Sequence, residues 1–145
     1  MRLMTLTARL LATLMVTCGP TYVSAAGEAP APSAAPPVNA ELGADGVQRA
    51  TLTLDSYSFS PAHVVVEAGK PVELTLNNVA SLAPHNLTVD DPKAGFSVSQ
   101  DVSAGKSAVA QFTPTVPGTY AFYCNKKLLM LNHRKKGMEG VLEVR

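Results

Sequence analysis

Short segments with a two-residue hydrophobic period recur along the chain from Val47 onwards. In the first of them, Leu52 and Leu54 alternate with polar neighbours, which is typical of a strand that buries one face. Later segments are rich in β-branched or aromatic residues and end at turn-forming residues; they read HVVVEAG, VELTLNN, HNLTVD, SAVAQFTP, GTYAFYC and GVLEVR. About seven strands at this spacing predict an all-β sandwich or barrel over residues 47–145.

One segment between the last strands lacks this pattern. Residues 125–136, NKKLLMLNHRKK, contain no helix breaker before Gly137, so they are a candidate for one or two turns of helix. Their apolar residues are consecutive rather than spaced for a single helical face. A basic amphipathic surface segment is therefore the alternative interpretation.

The N-terminal end has the pattern of a secretory signal peptide. Arg2 and Arg9 supply positive charge, residues 10–16 form a short apolar run, and small residues allow cleavage after Ala25 or Ala26. The apolar run is about half as long as a membrane-spanning helix requires. We therefore predict a signal peptide over residues 1–25, a periplasmic or otherwise exported protein, and no transmembrane segment in the mature chain.

The predicted mature chain begins with an arm of low hydrophobicity. Residues 26–46 consist largely of Ala, Pro, Gly and acidic residues, so they bury too little apolar surface to offset the entropy of ordering them. We predict a linker or disordered arm there. Anchoring as a lipoprotein through Cys18 is less favoured, because Thr17 is bulkier than the small residue usual before a lipidated cysteine.

Charge and cysteine content reduce the classes of function that this chain can have. Loss of Arg2 and Arg9 with the signal leaves ten basic and eleven acidic residues, a net charge of −1, which argues against a general nucleic-acid binder. The mature chain keeps a single cysteine, Cys124, which has no partner for an internal disulfide. An unpaired cysteine in an exported protein suggests another partner, and a metal ion is one.

Four side chains form a candidate metal-ligand set. Strand parity places Cys124 on the same face as Tyr120 and Phe122, and His85 on the same face as the apolar residues that follow it. After Cys124, eight residues precede His133 and four more precede Met138. One thiolate, two imidazoles and a thioether suit copper, and a trigonal His2Cys set with a distant Met is typical of blue-copper sites.

The chain resembles a bacterial cupredoxin of the plastocyanin and azurin superfamily from about Leu52 to Val144. The stretches that carry the resemblance are YSFSPAHVVVEAGKPVELTLNN, PHNLTV and PGTYAFYC followed by His133 and Gly137-Met138. The Cys-to-His spacing is longer than in plastocyanin or azurin and is similar to the type 1 site of copper nitrite reductases. The resemblance implies a Greek-key β-sandwich of about 7–8 strands with one type 1 copper near one end.

Transfer of the family pattern assigns roles to individual residues. It implies that His85, Cys124 and His133 are the equatorial ligands and that Met138 is the axial ligand. It also implies that Asn86 ties the ligand loops together. In many β-sandwiches a tyrosine at the position of Tyr120 pins a loop with its hydroxyl group.

Alternatives remain at three positions. His63 is more simply an ordinary surface or core histidine, Met130 competes with Met138 as a thioether donor, and Cys124 taken alone is compatible with a buried inert thiol. Together the four candidate side chains favour copper.

This ligand set predicts an electron carrier rather than an enzyme. Four protein ligands leave no open position for a substrate, so catalysis is not expected. Copper capture or delivery and a metal-free structural sandwich are the alternatives. We expect a monomer. We also expect a transient redox partner that carries an acidic docking face, because five cations lie close to His133 in the sequence: Lys126, Lys127, Arg134, Lys135 and Lys136.

Overall fold

Two β-sheets face each other across a shared apolar core in the computed structural model, which describes residues 36–145. The strands are β1 Val38–Asn39, β2 Glu41–Leu42, β3 Gln48–Asp55, β4 Ser58–Ser60, β5 His63–Val66, β6 Val72–Asn78, β7 His85–Val89, β8 Val98–Val102, β9 Ser107–Phe112, β10 Gly118–Tyr123, β11 Lys127–Leu128, β12 Leu131–Asn132 and β13 Glu139–Val144. The predicted all-β sandwich is confirmed.

The pairing of the strands places β7 and β10 side by side. The first sheet has the order β1-β5-β13-β10-β7-β8, and the second has the order β2-β3-β6-β9 with β4 added beside β3. The pairs β1/β5, β5/β13 and β3/β6 are parallel, and the other pairs are antiparallel. Segments that are distant in sequence therefore end at the same edge of the sandwich.

The core follows from the alternation seen in the sequence. Leu52 and Leu54 of β3 are completely buried, as are Leu74 and Leu76 of β6, whereas their neighbours along each strand are more exposed. Burial of each leucine side chain stabilises the fold by about 1.5–3 kcal/mol. Burial of these inward-facing side chains therefore contributes several kcal/mol to holding the two sheets together.

The structure corrects the predicted start of the domain. The last part of the predicted arm is ordered: Val38–Asn39 pairs in parallel with β5, and Glu41–Leu42 pairs with β3. Between them, the Ala40 N–H donates to the Val65 carbonyl oxygen at 2.9 Å. These strands are held by backbone hydrogen bonds while their side chains stay exposed, so their composition did not reveal them. The domain therefore includes Val38 and does not begin at Val47.

The remaining N-terminal predictions lie outside the described residues. They are the signal peptide with its cleavage after Ala25 or Ala26, the lipidation of Cys18, and the first part of the arm. Within residues 36–145, no helix is long and apolar enough to cross a membrane.

The segment between Cys124 and His133 is a β-hairpin rather than the candidate helix. Strands β11 and β12 pair with each other, and Leu129 and Met130 form the turn that joins them. Leu129 has a φ of 56°, a left-handed conformation that leucine rarely adopts. The only helical element of this region is a single 3₁₀ turn, Arg134–Lys136, which follows His133 and ends at Gly137 with a φ of 95°. Consecutive apolar residues offer no single helical face to bury, which explains why the helix is absent.

Tyr120 pins a loop as predicted. Its hydroxyl group donates to the Val116 carbonyl oxygen at 3.0 Å and lies 3.3 Å from the Lys93 carbonyl oxygen. The ring is buried in the core. This residue therefore joins the β7–β8 connection to the loop before β10.

Candidate metal centre

The strand ends bring two candidate ligands to one edge of the first sheet. His85 is the first residue of β7, and Cys124 directly follows the last residue of β10. These two strands are antiparallel neighbours, with Tyr123 opposite Thr88. The start of β7 therefore lies beside the end of β10, and both side chains face the core as their parity predicted.

Three donor atoms converge in this buried pocket. The Cys124 Sγ lies 3.5 Å from the His133 Nδ1 and 3.8 Å from the His85 Nδ1, and the two Nδ1 atoms are 3.1 Å apart. All three side chains are fully buried. Within the described residues, this is the cluster of histidine and cysteine side chains whose donor atoms lie close enough together to hold a metal ion.

The environment favours the uncharged form of both imidazoles. Burial, reinforced by the neighbouring His133 and partly offset by Asp55, lowers the pKa of His85 to about 4. Burial also lowers the pKa of His133. A neutral imidazole carries one nitrogen lone pair, so each ring is in the form that binds a metal.

Without a bound cation, the Cys124 thiol ionises less easily than an ordinary cysteine. Burial raises the pKa of Cys124, although the backbone N–H groups of Asn86 and Lys126 act in the opposite direction. The Asn86 N–H lies 3.4 Å from the Cys124 Sγ. A bound metal cation deprotonates a coordinating thiol, which would offset the cost of a buried thiolate.

The donor set fits copper. Sulfur and imidazole nitrogen donors favour copper over hard cations such as magnesium or calcium, which prefer oxygen. Both Nε2 atoms are buried and lack a hydrogen-bond partner within the described part of the chain, and both Nδ1 atoms point into the cluster. The Nδ1 atoms are therefore the nitrogens that would coordinate the ion.

Met138 is attached to this cluster through its backbone. Its carbonyl oxygen accepts a hydrogen bond from the Cys124 N–H at 3.0 Å, and its own N–H donates to the His133 carbonyl oxygen at 3.1 Å. The side chain is fully buried in the core. The competing thioether, Met130, is 98% exposed at the tip of the hairpin.

Asn86 joins the two ligand segments as expected. Its Oδ1 accepts a hydrogen bond from the Asn125 N–H at 2.9 Å, and its Nδ2 donates to the Asn125 Oδ1 at 2.9 Å. The Nδ2 also donates to the Thr88 Oγ1 at 3.1 Å. This network fixes the residue after Cys124 against the residue after His85. Leaving one such buried group unpaired costs about 1–3 kcal/mol.

Sequence reasoning missed two aromatic contacts around the site. The Tyr57 ring, from the turn between β3 and β4, packs edge-on against the His133 ring with centroids 4.9 Å apart. The Arg134 guanidinium lies 3.8 Å from the centroid of the Tyr123 ring. The first contact joins segments that are far apart in the sequence. The second turns the Arg134 side chain back over the sheet. The only sign of these contacts in the sequence was Tyr57, an aromatic residue within a short polar turn.

His63 lies outside the cluster. Its Nε2 is 3.0 Å from the Glu143 Oε2, and Glu143 also accepts a hydrogen bond from Arg145 at 2.7 Å. Arg145 first and His63 second lower the pKa of Glu143. This histidine therefore belongs to a partly exposed hydrogen-bonded pair with Glu143, in agreement with the simpler interpretation of the sequence.

Comparisons with solved structures identify similar folds. The metal-binding domain of the Cu(I)-exporting P-type ATPase CopA of Streptococcus pneumoniae D39 is 20% identical, with a TM-score of 0.57 over 76% of this chain and 96% of that chain. Reduced auracyanin from Roseiflexus castenholzii is 19% identical, with a TM-score of 0.56 over 71% and 99% of the two chains. A multicopper oxidase is 16% identical, with a TM-score of 0.56 over 73% and 45%. At these identities the likeness concerns the fold.

A comparison with curated protein sequences gives no match. The model of the cupredoxin-like domain family matches residues 21–141, which is most of the chain. The match includes all four candidate ligands and the strands from β1 to β12, together with the first half of β13. This chain therefore belongs to the cupredoxin-like domain family.

Proposed function

We propose that this protein is an exported blue-copper electron carrier with one type 1 copper per chain. The observation that carries the proposal is the convergence of His85 Nδ1, His133 Nδ1 and Cys124 Sγ within one fully buried pocket. Met138 is proposed as the weak axial ligand, because its backbone is hydrogen-bonded to both neighbouring ligand residues. Copper in such a site supplies one-electron exchange between Cu(II) and Cu(I).

The chain's own contribution is to hold the ligands still. Hydrogen bonds from Cys124 to Met138, from Met138 to His133 and between Asn86 and Asn125 link the three segments that carry the candidate ligands. Ligands that barely move between oxidation states favour fast electron exchange. The Asn86 N–H near the Cys124 Sγ stabilises negative charge on sulfur and so favours the thiolate form.

Burial of the site argues against substrate chemistry. The three converging side chains have no exposed surface, and a fourth ligand from Met138 would leave no open coordination position. We therefore propose electron transfer without catalysis. Copper capture or delivery is the rival function, and the test below separates the two.

The test is addition of Cu(II) to the purified mature domain. We expect an intense visible thiolate-to-copper charge-transfer band that bleaches on reduction and returns on oxidation. The variant Cys124→Ser should lose the band, whereas Met130→Leu, which changes an exposed methionine, should keep it.

Three results contradict parts of this proposal. Absence of the band from the wild-type protein excludes the blue-copper carrier. Tight binding of Cu(I) without a reversible Cu(II) band supports capture or delivery instead. A band that persists in Cys124→Ser excludes Cys124 as the sulfur ligand.

A further inference from the structure

The tip of the hairpin between Cys124 and His133 exposes a continuous apolar run. The side chains of Leu129 and Met130 are 92% and 98% exposed, and Leu128 and Leu131 beside them are 42% and 38% exposed. Within the described residues, β11 and β12 pair only with each other, so no other strand covers them. Four consecutive exposed apolar residues are unusual on a soluble domain unless they contact something.

The structure reduces the set of cations that can contact a partner here. Of the five expected from the sequence, Lys126 forms an ion pair with Asp101 at 2.7 Å, and Arg134 forms one with Glu139 at 3.1 Å. The other three, Lys127, Lys135 and Lys136, have no acidic partner among the ion pairs of residues 36–145.

These three lysines lie on the same side as the apolar tip. Together with Leu129, Met130, Leu131 and Asn132, they line one shallow surface groove of about 520 Å³. The hairpin therefore presents an exposed apolar tip with three lysines beside it. The apolar zone and the cationic zone adjoin on one surface.

We propose that this hairpin docks on the surface of an anionic phospholipid bilayer. Leu129 and Met130 enter the boundary between headgroups and acyl chains, and Lys127, Lys135 and Lys136 contact lipid phosphates. A bilayer interface offers an apolar layer next to an anionic layer, which matches the apolar tip and the adjoining lysines in polarity and in charge.

The shape of the tip favours a bilayer over a protein with an acidic face. Two side chains that are more than nine-tenths exposed on a turn would need a matching pocket in a protein partner, whereas lipid accommodates any convex apolar group. An acidic protein surface without such a pocket would pair with the lysines and leave the tip in water. Docking on acidic protein is therefore the competing outcome of the test.

Docking of the hairpin would hold the metal centre close to the membrane. The His133 N–H donates to the Lys126 carbonyl oxygen at 3.1 Å, so the base of the hairpin is bonded directly to a candidate ligand. Membrane binding itself needs no copper and does not depend on the proposed redox function. Loss of either property leaves the other measurable.

The experiment is cosedimentation of the mature chain, residues 26–145, with vesicles, with and without copper. We expect binding to vesicles of phosphatidylcholine with phosphatidylglycerol, no binding to phosphatidylcholine alone, and weaker binding as salt is raised. The double variant Leu129→Asp/Met130→Asp should lower the partition coefficient at least about tenfold. Replacement of the three lysines by glutamine should lower it about fivefold per lysine.

A matched control uses an exposed leucine at the other end of the second sheet. Leu42 is 50% exposed and lies opposite Gln48 at the start of β3. Tyr57 and the His133 ring that it contacts lie beyond the other end of β3. Leu42→Asp should bind vesicles like the wild type. Circular dichroism of every variant checks that the fold is retained.

Two results overturn the proposal. One is the absence of wild-type binding to the anionic vesicles. The other is equal loss of binding in Leu42→Asp and in the hairpin variant. If the protein does not bind vesicles, but its electron transfer to an acidic protein depends on salt and requires the three lysines, the hairpin is assigned to protein docking instead.

Discussion

At the scale of single residues, burial acts differently on the nitrogen and sulfur donors. It lowers the pKa of His85 and His133, which keeps both rings in the form that coordinates a metal. The same burial raises the pKa of Cys124 and opposes the thiolate. The protein therefore prepares the imidazoles for binding, whereas the thiolate needs a cation and the Asn86 N–H to be stable.

The first prediction concerns the axial position. Met138→Leu should retain the visible band but raise the reduction potential, because loss of a weak sulfur donor disfavours the oxidised ion. Since leucine and methionine have similar volumes, the variant should lose less than about 1.5 kcal/mol of stability. Redox titration and urea unfolding measure the two effects.

Met130→Leu is the matched control for that variant. Its side chain is exposed on the hairpin, so the potential should equal that of the wild type. A potential that shifts in Met130→Leu and not in Met138→Leu would reverse the assignment of the axial ligand.

At the scale of the elements, the pairing of β10 with β13 extends to the metal centre. The last bridge joins Tyr123 to Glu139, and one residue further the Cys124 N–H donates to the Met138 carbonyl oxygen. A strand register therefore determines how a cysteine and a methionine approach each other. A one-residue slip of β13 would turn its inward-facing side chains, and Met138 before them, to the wrong face.

The second prediction tests this register at Gly140. A Cβ at this position would lie 2.4 Å from the Phe122 ring and 2.5 Å from the Ala62 carbonyl oxygen, neither of which can easily move. Gly140→Ala should therefore lower the free energy of unfolding by about 3 kcal/mol, near the upper end for overpacked cores. It should also weaken the copper band, because the Met138 carbonyl oxygen, two residues away, accepts the hydrogen bond that positions Cys124.

The control is Gly43→Ala, where the close atoms are the flexible ends of Asp45 and Arg49. A surface change of this kind should alter the free energy of unfolding by less than about 0.5 kcal/mol. Equal stability losses in both variants would show that the packing of Phe122 against Gly140 is not the cause. Urea denaturation of the two proteins provides the measurement.

The two short N-terminal strands and the hairpin mark the limit of sequence prediction at this scale. Hydrophobic alternation located β3, β6 and β10, because each of these strands buries one face. Strands β1, β2, β11 and β12 bury little side-chain surface and depend on backbone hydrogen bonds. Their side chains consequently carry no periodic signal.

At the scale of the whole molecule, the metal centre connects segments from different parts of the chain. His85 comes from the start of β7, whereas the other candidate ligands come from the loop between β10 and β13. A ligand that binds only the folded arrangement stabilises it by mass action. Copper should therefore stabilise the entire sandwich.

The third prediction is a rise in thermal stability with copper. A free copper concentration one thousand times the dissociation constant should add about 4 kcal/mol, which corresponds to a rise in Tm of roughly 15 °C or more for a domain of this size. Removal of the ion by a chelator should reverse the shift, and Cys124→Ser should show little of it. Calorimetry that gives equal Tm values with and without copper would argue against a structural coupling of the site to the fold.

The fold class and the candidate donors follow from the amino-acid sequence alone, because strand alternation and residue chemistry are local properties of the chain. The spacing of Cys124, His133 and Met138, together with His85 upstream, could be read directly from it. Three features required the folded structure: the two Nδ1 atoms lie 3.1 Å apart, Tyr57 packs on His133, and the segment before His133 is a hairpin with an exposed tip. These features depend on strand pairing and on the path of each loop, which bring residues together that no local pattern relates.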